Sequence, residues 1–540
     1  MNVLPARLVP LLLATTLVAC GGGGGGGNEP PVTPPPTQQP PPATISKAEA
    51  YRFLNQATFG ATAAEAQSVI ALGYEAWIDQ QLQRPASLEL PHVQQVFATY
   101  PPGADFTKLH QDRVDIWLRH ALHAPDQLRQ RVAFALSQIM VISQSSALVG
   151  YPWGCTSYYD MLTQNAFGNF RELMENVTLH PAKGVYLSML GNQKPDVAHN
   201  IRPDENYARE LMQLFTVGLV ELNLDGSVKT DSAGQPIPTY DQDIVQGFAH
   251  VYTGWTYSGA PSFAAAIPTI ANQIRPMQAY SEQHATGTKR MLSYAGAVST
   301  IPAGQTPEQD LDAALDNIFN HPNVGPFIAK RLIQHLVTSN PSPQYVERIA
   351  RKFNDDGAGK LKEPLLRLTQ LWRAYDASSQ SGKYNVQNIT GLIGQGPLQA
   401  PSVFNFFSPF YAPPGEIANQ GLVAPEMQVT TEYLSSLWTD YVFALAFCYT
   451  TMPVQGCPAV PPALQPDLVT IDASAERAMA ANPQALVDTI ADKLVGGPLS
   501  STLSTEAKSM VERAPASETA LRVAEALYLI ASAPEVALQR

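Results

Sequence analysis

The sequence predicts an all-α protein: a large multi-helix single domain, or two closely packed helical subdomains, with long irregular loops. Three observations carry this. Capping boxes recur at Ser46–Glu49, Thr62–Glu65 and Thr306–Gln309, each a hydroxyl followed three residues on by a side chain that reaches back to the cap. Apolar residues repeat at helical spacing through most of residues 46–540. Period-2 alternation of β-branched residues is scarce.

Composition agrees with a folded body. Of 540 residues, 45% are hydrophobic and 9% aromatic, enough for a large core and too much for wholesale disorder. Only 15% are charged, 34 basic against 46 acidic, for a net charge of −12. No clustered basic face accompanies that balance, so nucleic acid is excluded as a partner.

In chain order, residues 1–19 read as an export signal: Arg7 supplies the positive start and Leu8–Val18 the apolar run. Eleven residues at about 1.5 Å each cannot cross a bilayer core of about 30 Å as a helix. Leu17-Val18-Ala19-Cys20 resembles the bacterial lipobox, which implies cleavage before Cys20 and acylation of that cysteine. Gly21 in place of Asp resembles the outer-membrane sorting pattern. Residues 20–45 form a tether: seven glycines, Gly21–Gly27, then eight prolines between Asn28 and Pro42. The first part is flexible coil and the second a polyproline spacer. The expected location is the outer membrane of a Gram-negative envelope, with the protein held by its lipid.

The body, residues 46–540, opens with helices from Ser46 to near Gly60 and from Thr62 to a stop at Gly73. A third runs over 74–82, with Trp77, Ile78 and Leu82 on one face. Further helical patterns occupy 107–123, 125–142, 157–165, 169–179, 204–217, 241–253, 306–319, 323–337, 343–354, 361–375, 427–447, 484–495 and 517–532. His180-Pro181 and His321-Pro322 punctuate helices. Residues 219–240, 255–303, 376–426 and 449–482 are rich in Gly, Pro, Ser and Thr and read as irregular loops. Cys448 and Cys457, nine apart, can bridge in an oxidising periplasm, leaving Cys155 as a buried free thiol.

Several stretches together resemble the bacterial family called domain of unknown function 1800. They are Arg52-Phe53-Leu54-Asn55-Gln56-Ala57-Thr58-Phe59-Gly60, Leu72-Gly73-Tyr74-Glu75-Ala76-Trp77-Ile78, and the long Glu205–Gly218 segment. Thr239-Tyr240-Asp241-Gln242-Asp243-Ile244, Thr253-Gly254-Trp255 and Ser532-Ala533-Pro534-Glu535 follow in order. Gln213 and Gln242 depart from the family pattern, which carries an acid at each place. The resemblance implies an exported bacterial protein, often encoded beside a second family, domain of unknown function 1501 (DUF1501), whose product is an expected partner. It implies no reaction.

The densest polar run is Asp204–Glu210. Glu205 with Arg209, and Asn206 with Glu210, are i,i+4 pairs on a helix. One reading is a carboxylate cluster for a divalent cation such as Ca or Mg, or for general acid–base work; the other is a network that fixes helix packing. Asp241 and Asp243 open the next helix and suit its dipole, yet hard-oxygen ligation with Glu205 and Glu210 is open to them. Glu221-x-Asn223-x-Asp225-Gly226 lacks the distal Glu of a calcium loop. His284, in the long loop, is a candidate base. His120 and His123 share a helix face and lack a third zinc ligand. Trp153, Tyr158, Tyr159, Phe404, Phe406, Phe407, Phe410 and Tyr411 are groove-lining aromatics or core. Serine-hydrolase elbow, zincin, P-loop and Cys-x-x-Cys motifs are absent.

Two functional expectations follow. The first is a lipid-anchored envelope binding or assembly protein acting with a co-encoded partner. The second is an envelope hydrolase whose catalytic residues are Glu205, Glu210, Asp241 and His284, with or without a divalent cation.

Overall fold

A computed structural model of the chain describes residues 44–105, 107–354, 381–392 and 395–537. The signal, Cys20, nearly all of the tether and the helix expected over 361–375 lie outside these residues. Met1–Thr44 is one unit and Ile45–Arg540 a second. The second unit is built from helices; its strands, among the described residues, amount to two two-stranded sheets. The all-α expectation holds.

All three capping boxes form. Ser46 caps Lys47–Ala57, Thr62 caps Ala63–Leu72 and Thr306 caps Pro307–Phe319, each with the reciprocal bond from the third residue. Gly73 ends the second helix with φ +84°. His180 caps Pro181–Tyr186 through its ring: Nδ1 accepts from Ala182 N–H at 3.2 Å, which places the proton on Nε2, 3.2 Å from Ser157 Oγ.

The core is continuous from the first helix to the last. Gln127–Ile139 is buried at every position but Arg129 and packs against Pro152–Asn165 and Val324–Leu336. Lys47–Ala57 packs on Pro483–Val495, which ties the start of the body to its end. Trp153, Tyr158 and Tyr159 are core residues with at most 3% exposure.

Four differences from the expected elements have local causes. Helix 157–165 begins earlier, at Pro152, where proline at the first turn costs no hydrogen bond. The helix expected over 427–447 begins at Glu432, because Thr431 caps it and Pro425–Val429 is a separate 3₁₀ turn. Ser501–Arg513 was not expected: only Ala507 and Val511 of its residues are buried, too thin a stripe for periodicity to reveal. Residues 219–240 are not irregular. They form an antiparallel ribbon with bridges Val220↔Pro238, Leu222↔Val228 and Thr230↔Pro236, whose prolines interrupt any alternating pattern.

The strand Lys289–Arg290 lies against helix Gln242–Val251 at Gly247. A Cβ there would come 2.0 Å from Arg290 O, so glycine is what lets the strand approach. Cys448 and Cys457 are disulfide-bonded with Cα atoms 5.5 Å apart, and Cys155 is free and buried. Among the described residues no helix is long and apolar enough to cross a membrane.

Candidate functional site

The segment Asn206–Thr216 organises the centre. It starts as α-helix and widens after Glu210 into a π-helical turn, Leu211–Thr216. Val217 N–H reaches back five residues to Met212 O at 3.0 Å. Such turns are uncommon and cluster at functional sites. One end of this segment presents polar groups and the other lines a cavity.

At the polar end, Glu205 accepts from Arg209 Nη2 at 2.8 Å and from Gln242 Nε2 at 2.8 and 3.0 Å. Arg209 Nη2 also donates to Gln242 Oε1 at 3.2 Å, so three side chains close on one another. Asp241 caps the following helix, accepting from Ile244 N–H at 3.0 Å, and its other oxygen meets Arg290 Nη2 at 3.3 Å. Asp243 takes the second nitrogen of Arg290 at 2.6 Å.

His284 is elsewhere, inside the core. It is 1% exposed, with Nε2 2.8 Å from Asp310 Oδ2 and Nδ1 2.9 Å from Thr253 O. Lys289 Nζ meets the same Asp310 oxygen at 2.5 Å. Asp310, His284 and Lys289 are thus a sealed charge cluster between helix Pro307–Phe319 and the loop.

Glu210 is half-buried. Burial raises its carboxyl, while Lys183 and Arg209 pull it down. Its Oε2 has no hydrogen-bond partner. Lys183 is fully buried: its Nζ donates to Val141 O at 2.7 Å and sits 3.8 Å from the centre of the Phe215 ring. Burial holds this amine well below its ordinary pKa, opposed by Glu210.

No hydrogen bond or ion pair joins any two of Glu205, Glu210, Asp241 and His284, although Arg209 pairs with Glu205 and also acts on Glu210. Among the described residues no three His, Cys, Asp or Glu side chains gather as a Ca or Mg site needs. Asp225 turns inward on its own loop, accepting from Ser227 N–H at 2.9 Å and Oγ–H at 2.6 Å. His120 lies edge-on to His92 with ring centres 5.5 Å apart; burial, then His92, lowers it to about 4.

The other end of the segment faces a cavity of about 440 Å³, within the usual range for small-molecule sites. Gln213, Leu214 and Val217 form one wall. Leu219, Leu222 and Val228 of the ribbon form a second, and Phe327, Lys330, Arg331, Gln334 and His335 of helix Val324–Leu336 a third. Val403, Phe404, Phe407 and Phe410 close it from the loop after residue 400. Gly218, at φ +76°, lets Phe327 approach to where a Cβ would be 3.0 Å from its ring. The loop is pinned at Asn405, whose left-handed backbone (φ +68°) suits asparagine and whose Nδ2 donates to Gln138 Oε1 at 3.1 Å. At the mouth, Leu219, Val228, Phe404 and Phe410 are exposed, Phe410 by 68%. Large exposed apolar side chains at a concavity mark an interaction site.

The cavity's charged groups are mostly positive. Arg331 is stacked between Phe327 and Phe410, 5.1 and 4.6 Å from their ring centres, and donates to Gln334 Oε1 at 2.9 Å. Burial lowers it to about 10. Burial, then Arg331, lowers Lys330. His335 is lowered to about 3 by burial, then by Arg331 and Arg131. Glu426 is the acid that lines the cavity, 3.5 Å from Ser339 Oγ.

Of the sequence candidates, Phe404, Phe407 and Phe410 line this cavity, while Phe406 packs behind it with Val141 and Ala400. Leu214, Phe327, Lys330 and Arg331 were not singled out. On the sequence they are ordinary members of amphipathic helices, and the signal that they share a site lies in how distant elements meet.

The sequence model of the family described as "Protein of unknown function (DUF1800)" matches residues 52–359 and 355–538. Searches for similar curated proteins and for similar solved structures found no match.

Proposed function

The chain belongs to this family of unknown function, and from that premise we propose that it is an exported, lipid-anchored binding protein of the cell envelope. Its body receives an apolar chain in the cavity between the π-helical turn and helix Val324–Leu336. Residues 1–19 direct export, Cys20 carries the lipid, and the Gly/Pro tether spaces the body from the outer membrane. The observation that carries the binding reading is the cavity: about 440 Å³ with a largely apolar lining and exposed aromatic side chains at its mouth. A hydrolase reading resting on Glu205, Glu210, Asp241 and His284 has less support. Glu205 and Asp241 are occupied by neighbouring cations and His284 is buried. A DUF1501-family protein is the proposed partner that delivers or takes the cargo.

The test has two arms. Cys20→Ser moves the protein from the membrane to the soluble envelope fraction. That full-length variant, purified without detergent, brightens the neutral apolar dye Nile red, and Leu214→Trp abolishes the signal. Dye binding unchanged by Leu214→Trp would overturn the assignment of the cavity.

A further inference from the structure

The cavity is largely apolar with two cations in its lining, and among the described residues neither forms an ion pair. Neither Lys330 nor Arg331 forms an ion pair in the described structure, although every buried or half-buried cation incurs a desolvation cost that a carboxylate usually offsets. Arg331 has its guanidinium faces covered by Phe327 and Phe410 and one hydrogen bond, to Gln334, which leaves N–H donors free.

A second cation, Arg131, is buried on a neighbouring helix, outside the cavity lining. Arg131 is 1% exposed and lies 5.1 and 5.8 Å from the ring centres of Phe59 and Phe134; its Nε and Nη2 have no hydrogen-bond partner, and among the described residues it forms no ion pair. It lies on helix Gln127–Ile139, seven residues before Gln138, which places both on one face, and Gln138 lines the cavity. His335 feels both Arg331 and Arg131. At the cavity itself a guanidinium and an ammonium face, among the described lining residues, the one carboxylate of Glu426.

Resting on the reading of the cavity as the binding site, we infer that its cargo is a free long-chain aliphatic carboxylate. The carboxylate meets Arg331, with Lys330 beside it, and the chain runs along Leu214, Val217, Phe327 and Phe407. Apolar walls alone would accept any hydrocarbon; the unpaired cations select one with an anionic head.

Competition against Nile red tests this, with dodecanoate and dodecanol as displacers and the full chain carrying Cys20→Ser as the protein. Dodecanoate is expected to displace the dye at about 10-fold lower concentration than dodecanol, the worth of one charge-assisted hydrogen bond. Arg331→Gln removes that preference, so that dodecanoate and dodecanol displace the dye from this variant at the same concentration. Lys330→Gln reduces the preference in part, and serves as the second variant should Arg331→Gln fail to fold by circular dichroism. Equal displacement by both compounds overturns the carboxylate inference and leaves the apolar site standing. Displacement by neither overturns the underlying reading as well.

Discussion

The two ends of the segment Asn206–Thr216 differ in how their polar groups are satisfied. Around Glu205 the charges close on themselves: carboxylate, guanidinium and amide each find the others within 3.2 Å. Around Arg331 and Lys330 they do not: among the described residues neither cation has a carboxylate partner beside the largely apolar cavity. The difference teaches that a high density of polar residues and an unmet polar requirement are separate signals. A closed network holds helices in place. An open one, next to a concavity, asks for something from outside.

That contrast can be broken first at the closed side. Asp310→Ala would leave His284 and Lys289 buried without their shared carboxylate, and is expected to lower unfolding stability by about 3–5 kcal/mol, read by denaturant titration. Whatever protein remains folded should bind dye normally.

Acid opens a closed contact in the same way. Burial depresses His180 to about 3, and its Nδ1 must stay unprotonated to cap Pro181–Tyr186. The folded pKa lies below the unfolded value of about 6.5. Its contribution is therefore complete above that value and falls as pH drops towards 3. At pH 5 the loss is about 2 kcal/mol. His180→Asn keeps a capping side chain and should flatten the stability profile between pH 6.5 and 5; a profile as steep as the parent's would contradict the assignment.

On the open side the expected effect is on binding rather than folding. Leu214→Trp fills the cavity and should weaken Nile red binding at least about 10-fold, or about 1.4 kcal/mol. The smallest effect is back at the surface. Glu205→Gln breaks a half-exposed pair and should change stability by less than about 1 kcal/mol, with dye binding unchanged.

The helical class was readable because its signals are local. Ser46, Thr62 and Thr306 announce their helices within four residues, and Gly73 stops one through its backbone freedom. The i,i+4 pair Glu205–Arg209 is equally local and forms as spacing requires. What escaped depends on contacts between distant segments. Leu214 and Phe327 are 113 residues apart, and nothing in either helix says that a ribbon and a loop after residue 400 will leave space between them. The aromatic run Phe404–Phe410 was visible as a groove candidate, yet only the fold separates Phe406, packed in a small apolar cluster, from Phe404 and Phe410 at the mouth. Polar density drew attention to Glu205 for the same reason that hid Arg331: composition reveals which charges are near in sequence, and not which lack a partner.

The most direct measurement compares Nile red binding in Leu214→Trp and Glu205→Gln side by side, in the full chain with Cys20→Ser. The account predicts that the first loses binding while the second keeps it. Loss on Glu205→Gln with retention on Leu214→Trp would place the site at the polar cluster and contradict it.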